Sequence, residues 1–417
     1  ETAEKRLSLY YTSKLDANVK RFNLNIPDLQ EEFIQNKATT LNMKLLFISK
    51  YSQLYGANRS LLTLVEYFKA QGDDVCVMLP QKGNMGESLN AKNIMQINFP
   101  YFSQILYYKH SLKFLLLPIL ILYDIIIFPL LLHKIKKYNP DLIYSNAAAE
   151  NLGFFLAKCL NKKHISHIRE FMDLDFKATF LLGNKIREKF LNLSDGLIFV
   201  SKSVQEHVMN HHTSSEKQTV IYNGIDFPNI KFENKNLTEN LNLGLVGILD
   251  IAKRQDLAII YFNELLRLYP NIKLHIWGDK ESSYKKKILR LIKNLKIEKN
   301  IIFHGFEKDS NKIYSSMDIL LMFSYAEGFG RVTIEAMSYG VPVIGFNNAG
   351  TSEIIQDKKD GYLFRTQEEF ISCFTDLIST QDHYNRIRQN AFISSRKNFN
   401  KELYTKQVYS FTKKILS

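Results

Sequence analysis

Two glutamates, Glu327 and Glu335, stand with seven residues between them in the stretch Tyr325-Ala-Glu-Gly-Phe-Gly-Arg-Val-Thr-Ile-Glu-Ala-Met-Ser-Tyr-Gly340. Glycines let a phosphate approach the backbone, and the free N–H groups that open a helix attract anions. Carboxylates beside such a seat would repel phosphate. They suit another task, accepting hydrogen bonds from neighbouring hydroxyls of a diol. A phosphate seat next to diol acceptors fits a nucleotide sugar. The flanking pattern can position these groups. Asp318–Ser324 is a short, nearly continuous apolar run that reads as a buried parallel strand. After Gly330 the apolar residues Val332, Ile334, Ala336 and Met337 read as a helix, which Gly340 and Pro342 then stop.

The chain has 417 residues, 45% of them hydrophobic and 23% charged, enough for two domains with sizeable cores. Its net charge of +13 admits nucleic acid, an anionic membrane surface or phosphate-bearing ligands as partners. No zinc-finger spacing and no basic region leading into heptads is present, which turns the reading away from nucleic acid. Cys76, Cys159 and Cys373 lie far apart in apolar patterns and read as reduced core residues of a cytosolic protein. No signal peptide is visible, and no histidine spacing suggests a metal site.

Residues 1–42 are polar and aperiodic; they read as an N-terminal extension of unknown role, either fused ahead of Met43 or a family-specific arm. From Met43 onward strands and helices alternate. Lys44–Ser49, Asp74–Pro80, Ile94–Asn98, Asp141–Asn146, His164–Arg169 and Gly196–Ser201 read as strands of a first sheet. A helix is expected from Arg59 to about Gln71. Val220–Asp226 follows, and then a polar run, Pro228–Asn240, suited to an inter-domain linker. The alternation restarts over Leu243–Ile248, Lys273–Gly278, Ile301–Gly305, Asp318–Ser324 and Val341–Phe346, and helices fill the remainder from Gln367. The expected fold class is α/β, with two Rossmann-like, doubly wound parallel-sheet domains facing across a cleft. Its parts would be a first domain over 43–225, a linker over 226–240, a second domain over 241–398 and a final helix, 399–417, returning to the first.

Phe114–Leu132 is almost wholly apolar and long enough to suggest a membrane span. Against a span, Asp124 interrupts it, Pro118 and Pro129 should break it, and Lys or His flanks both ends. Three readings stay open, in this order: buried helices of the first domain, a membrane-surface hairpin attracted to anionic lipid, and a true span.

Taken together, the motifs resemble the retaining GT-B nucleotide-sugar glycosyltransferases of family 4 (group 1), over about Met43 to the C-terminus. Glu327…Glu335 with Gly328-Phe329-Gly330 matches the family's Glu-x7-Glu motif, and Gly350-Thr-Ser-Glu353 matches the element after it. Asn223-Gly-Ile-Asp226 matches the inter-domain signature, and Leu245-Val-Gly-Ile-Leu-Asp-Ile-Ala-Lys-Arg-Gln-Asp256 the phosphate-binding loop. The resemblance implies that the second domain holds a nucleoside-diphosphate sugar. Glu335 would then bind the ribose and Glu327 the donor sugar near its reacting carbon. Lys253 would neutralise the diphosphate on the Gly247 loop, while the amides of Gly330, Arg331 and Val332 meet the diphosphate or the sugar. Gly278, Asp279, Gly305 and Phe306 would lie near the base. Gly56 would approach the phosphate from the first domain. Two departures stand out. Ile248 occupies a position usually held by an arginine, so Arg254 or Arg331 would have to replace that cation. A histidine usual near the sugar is replaced within His167-Ile-Arg-Glu-Phe171, where Arg169 and Glu170 are the stronger candidates and His167 the weaker.

The resemblance therefore implies a metal-independent transfer of a sugar, with retained anomeric configuration, to a hydroxyl of a glycan or lipid-linked acceptor. Bacterial surface polysaccharide synthesis is the implied setting. No cofactor is expected beyond the nucleotide-sugar substrate. The expected location is the cytoplasm, with peripheral contact between residues 101–137 and an anionic membrane. A dinucleotide-dependent oxidoreductase would need G-x-G-x-x-G after the first strand, and Ser49–Ser60 holds only Gly56. A non-catalytic sugar- or lipid-binding protein on the same scaffold is the remaining alternative.

Overall fold

The computed structural model describes residues 42–101, 105–107, 113–147, 151–180, 183–209 and 216–417. The 1–42 extension, apart from residue 42, lies outside them. Nine strands belong to the first half: β1 (Lys44–Ile48), β2 (Asp74–Leu79), β3 (Met95–Asn98), β4 (Ile105–Tyr107), β5 (Leu142–Ser145), β6 (Lys163–Ile168), β7 (Ala178–Phe180), β8 (Gly196–Phe199) and β9 (Gln218–Val220). Six belong to the second: β10 (Asn242–Val246), β11 (Lys273–Trp277), β12 (Ile301–Gly305), β13 (Ile319–Met322), β14 (Val343–Phe346) and β15 (Tyr362–Phe364).

Both main sheets are wholly parallel. The first runs β3-β2-β1-β5-β6-β8-β9 and the second β12-β11-β10-β13-β14-β15. Parallel strands covered by helices on both faces need apolar side chains in both directions, and this is why β1, β5, β8 and β13 read as unbroken apolar runs. In each sheet the order reverses at one point, between β1 and β5 and between β10 and β13. The loops leaving the carboxyl ends of β10 and β13 carry Lys253 and Glu327, so the topology itself brings these two motifs side by side.

Seven helices position the site: α1 (Gly56–Ala70), α2 (Lys113–Tyr138), α3 (Asp173–Phe176), α4 (Lys202–Val208), α5 (Arg331–Ser338), α6 (Ala349–Ile354) and α7 (Lys401–Leu416). α1 begins at Gly56, so this glycine is the first helical residue and not the end of the preceding loop. The pair β4–β7, antiparallel and outside both sheets, and the edge strand β15 were not legible as strands. They are three residues long, too short for a period to show.

The two halves join where two chain segments cross. Ile225 bridges Asn400, and its N–H donates to the Phe399 carbonyl at 3.0 Å. A Cβ on Gly224 would lie 2.4 Å from the Asn400 carbonyl oxygen, so only glycine fits there. Asp226 pairs with Lys401. α7 then packs back on the first half, with Tyr409 against Phe68 at 4.9 Å between ring centres.

The apolar stretch is one continuous helix, α2, which corrects the hairpin reading. Pro118 and Pro129 each remove one N–H from its ladder without ending it. Its last turns are core, with Leu131, Ile135 and Tyr138 packed among Leu46, Cys76 and Met78. Its earlier turns are not: Ile119, Leu122, Ile125, Ile126 and Leu130 are each more than half exposed. No helix among the described residues is long and apolar enough to cross a membrane. Cys76 and Cys373 are buried, but Cys159 is exposed on the outer face of the helix Leu152–Leu160, which corrects its assignment to the core.

Candidate active site between the two halves

The loop Gly247–Lys253 leaves β10 through Gly247, at φ 145°. Asp250 accepts the Ala252 N–H at 3.2 Å and folds Ile251–Lys253 into one tight turn. That turn sends the Lys253 ammonium onto the Glu327 carboxylate. Glu327 is only 15% exposed. Burial raises its pKa, but the charge and hydrogen bond of Lys253, with a hydrogen bond from Ser324, outweigh it and hold the carboxyl below its usual value. Glu327 is therefore an ionised acceptor tied to Lys253.

Glycines at the ends of β10, β11 and β12 form the adjoining shelf. A Cβ on Gly278 would sit 2.2 Å from the Gly247 carbonyl oxygen, and the Gly278 N–H donates to the Gly305 carbonyl at 2.6 Å. Beyond Gly305, Phe306 stands 78% exposed, a ring face open to stacking. Asp279 is turned outward and paired with Lys285 at 2.9 Å.

Gly330, at φ 101°, opens α5 without a side-chain cap, leaving the first amides of that helix free of one. Phe329 is buried, and Val332 packs half-buried against the core. Arg331 crosses the cleft. Its Nη1 donates to Ser60 Oγ on α1 at 3.1 Å, its Nη2 lies 3.5 Å from Glu335, and its Cδ would be 3.5 Å from a Cβ on Gly56. Tyr314 donates to the other Glu335 oxygen at 2.8 Å. Glu335 is thus held rigidly on both oxygens. A cavity of about 840 Å³ opens beside Arg331 and Glu335, bounded by α1, the 224–228 crossover and α7; Lys253 and Glu327 do not line it.

Two family descriptions match the sequence in tandem: "Glycosyltransferase Family 4" over residues 55–227 and "Glycosyl transferases group 1" over residues 226–393. The chain belongs to the family 4, group 1 glycosyltransferases. Among relatives, a poly(ribitol-phosphate) alpha-N-acetylglucosaminyltransferase of Staphylococcus aureus (strain COL) is 26% identical over 207 residues, 49% of this chain and 41% of that protein. The N-acetylgalactosamine-N,N'-diacetylbacillosaminyl-diphospho-undecaprenol 4-alpha-N-acetylgalactosaminyltransferase of Campylobacter jejuni is 30% identical over 171 residues, 40% of this chain and 45% of that protein. Each match spans less than half of that relative's length. Among solved structures, HepE of Anabaena in complex with UDP and glucose superposes with a TM-score of 0.71 at 20% identity, covering 89% of this chain and all of HepE. At that identity the likeness shows the fold, a GT-B arrangement.

Within this family 4 chain, Lys253, Glu327, Gly328 and Gly330 converge on one wall of the cleft. Arg169 and Glu170 have other partners. Arg169, 7% exposed, donates to Asn146 Oδ1 (2.6 Å), Asn223 Oδ1 (2.7 Å) and Tyr404 OH (2.9 Å). It joins the first sheet to the crossover and to α7, and its guanidinium has a partner on each nitrogen. Glu170 is buried 3.6 Å from Lys50. Their backbones, however, do face the wall that carries Glu327: a Cβ on Gly328 would meet the Arg169 carbonyl oxygen at 2.7 Å. His167 is wholly buried against Tyr144, with burial and then Arg169 pushing its pKa well below the usual value, so it is neutral.

Ile248 is half exposed and itself carries no charge to replace the arginine usual there. Arg331 is engaged by Ser60 and Glu335. Arg254, in the left-handed region at φ 52°, lies over the Tyr325 and Phe346 rings at 5.7 and 5.1 Å, with its Nη1 unpartnered. Asn146, Tyr314 and Tyr404, which hold Arg169 and Glu335, carry no signal in the sequence. None lies in a motif, and only the fold brings them near. Asp175, which accepts the Phe171 and Met172 N–H groups at 3.0 and 2.8 Å, carries none either.

Proposed function

We propose that this protein transfers a sugar, with retained anomeric configuration, from a nucleoside diphosphate to a hydroxyl of a glycan or lipid-linked acceptor in surface polysaccharide synthesis. The Lys253–Glu327 pair at the sheet's reversal point carries the reading. A diphosphate seated on the free amides of α5 would draw Lys253 from Glu327 as the leaving group gains charge, a preorganised form of electrostatic catalysis. Glu327, released from that pair, would hold a donor-sugar hydroxyl near the reacting carbon. Glu335, fixed by Tyr314 and Arg331, would orient the ribose. The exposed Phe306 ring would stack on the base. Arg254 is the better candidate for the second cation, because Arg331 already has partners.

On this reading the protein's own cations do the work of a metal. The sugar is attacked on the face the diphosphate leaves, with that diphosphate taking the acceptor proton. Closure of the halves excludes water. The names of the relatives, which include poly(ribitol-phosphate) and saccharide-diphospho-undecaprenol acceptors, and HepE crystallised with UDP and glucose, support the substrate classes. The exposed apolar turns of α2, with Lys134, Lys136 and Lys137 following, support a place on the anionic inner face of the cell membrane, where a lipid-linked acceptor would lie. Turnover of nucleotide sugars by Glu327→Ala and Lys253→Ala tests the assignment. Loss of at least about 100-fold is expected from each, in line with removal of one preorganised charge partner; near-wild-type turnover in both would sink it.

A further inference from the structure

Glu353 closes the motif Gly350-Thr-Ser-Glu353, yet no step above uses it. It sits on α6 of the second half, and its carboxylate reaches the first half. Glu353 Oε2 accepts the Lys202 N–H at 2.8 Å, while Oε1 accepts the Ser203 N–H at 2.7 Å and the Ser203 hydroxyl at 2.6 Å. Tyr222 OH donates to Oε2 at 2.9 Å. All four donors lie outside the second sheet: three on α4 and one just before the crossover.

The same corner touches the donor motif. Ser201, which precedes α4 and accepts the Val204 N–H at 3.2 Å, donates its hydroxyl to the Gly328 carbonyl at 2.6 Å. The Tyr222 ring stacks on Phe329, 5.8 Å between centres and 21° from parallel. Gly328 is also pressed by the Arg169 carbonyl from the other side. The residues directly after Glu327 are therefore clamped by the first half, and Glu353 fastens the element that clamps them. Parting of the halves would take this acceptor from Lys202, Ser203 and Tyr222 together, and Ser201 from Gly328.

We propose that Glu353 is the closure latch of the cleft, a positioning residue that fixes Glu327 by holding α4 against Gly328. The proposal rests on the donor site assigned above. Its consequence is specific: nucleotide affinity, which depends on second-half residues, should survive loss of the latch, and the productive placement of Glu327 should not. A misplacement of about 1 Å can cost about 100-fold in rate.

The experiment compares wild type, Glu353→Ala and Ser203→Ala by three readouts: UDP affinity by calorimetry, small-angle scattering with and without UDP, and steady-state transfer and hydrolysis. Latching predicts that Glu353→Ala binds UDP within about threefold of wild type, scatters as a more open particle, and loses about 10–100-fold in kcat with little change in donor KM. Ser203→Ala should show a smaller loss, and the two substitutions together should be less than additive because they break one contact. Unchanged kcat and scattering in Glu353→Ala, with UDP still bound, would overturn the latch and leave the donor site intact. Absence of nucleoside-diphosphate binding by wild type would overturn both. If Glu353→Ala does not fold, Ser203→Ala decides: wild-type kcat and scattering there reject the proposal.

Discussion

Arg169 donates a 2.9 Å hydrogen bond to the hydroxyl of Tyr404, 235 residues away in sequence. With its bonds to Asn146 and Asn223, the guanidinium ties together the first sheet, the crossover and the returning helix α7. Replacing it by alanine would strand three buried polar groups, each at about 1–3 kcal/mol. Arg169→Ala should therefore lose about 3–5 kcal/mol of unfolding free energy by urea titration. A midpoint unchanged from wild type, with activity alone lost, would instead return Arg169 to the reaction itself.

Gly328 is the point where the Glu327–Glu335 motif touches the first half. Its φ is not positive, so the constraint is space and not backbone strain. A methyl there would stand 2.7 Å from the Arg169 carbonyl oxygen, which cannot move as a flexible side chain could. Gly328→Ala should cost about 1–3 kcal/mol in stability and reduce kcat more than donor affinity. Equal kcat in the variant would mean that the halves tolerate a wider gap during turnover.

Lys253 depresses the pKa of Glu327 against the opposing pull of burial. Lys253→Met removes the opposing charge, so Glu327 should titrate higher. The acid limb of the pH–rate profile should move upward in the variant's residual activity. A limb that stays in place would show that another group sets it.

Asp175 is shifted the other way. Burial, then the charge of Glu170, raises its carboxyl to about 7, against the hydrogen bonds it accepts from the loop amides. A raised value means that the folded state holds the proton more tightly. This contribution to stability is complete below about pH 4, the unfolded value, and is lost as pH rises through about 7. Asp173, with its partner His207, and Arg187 also face this loop, so the comparison must isolate one group. The stability of wild type minus that of Asp175→Asn should fall between about pH 4.5 and about pH 7.5. A constant difference across that range would contradict the shift.

The exposed turns of α2 make the membrane reading testable. Lys134, Lys136 and Lys137 together should contribute about 3 kcal/mol at an anionic surface, at ~1 kcal/mol each. Replacing all three with glutamate should lower partitioning onto phosphatidylglycerol vesicles at least about 100-fold, an effect that salt screens, and Leu122→Ser with Ile126→Ser should lower it by an amount that salt does not screen. Equal partitioning of wild type onto zwitterionic vesicles would contradict the charge component.

The doubly wound sheets were legible because a buried parallel strand is an unbroken apolar run, and fifteen residues such as Gly56–Ala70 repeat the helical period clearly. The nearness of Lys253 and Glu327 comes from the strand order of the second sheet, which only the structure supplies. What stayed hidden depends on contacts between distant segments. Nothing near Arg169 in sequence announces its three partners, which come from positions 146, 223 and 404. α2 misled in another way, since two prolines usually stop a helix but each removes only one ladder bond. Cys159 was placed inside by its apolar neighbours, although its own face of the helix looks outward.

A wall of Lys253, Glu327 and the start of α5 that seats a nucleoside-diphosphate sugar, as proposed, must let that ligand stabilise the fold through Lys253. Thermal unfolding of wild type and Lys253→Ala across a panel of nucleoside diphosphates and their sugars tests it most directly. A ligand at about a hundred times its dissociation constant adds ~2.7 kcal/mol to the folded state. At least one nucleotide sugar should stabilise wild type, with most of that shift lost in Lys253→Ala. No stabilisation by any member of the panel, or an equal shift in the variant, would contradict it.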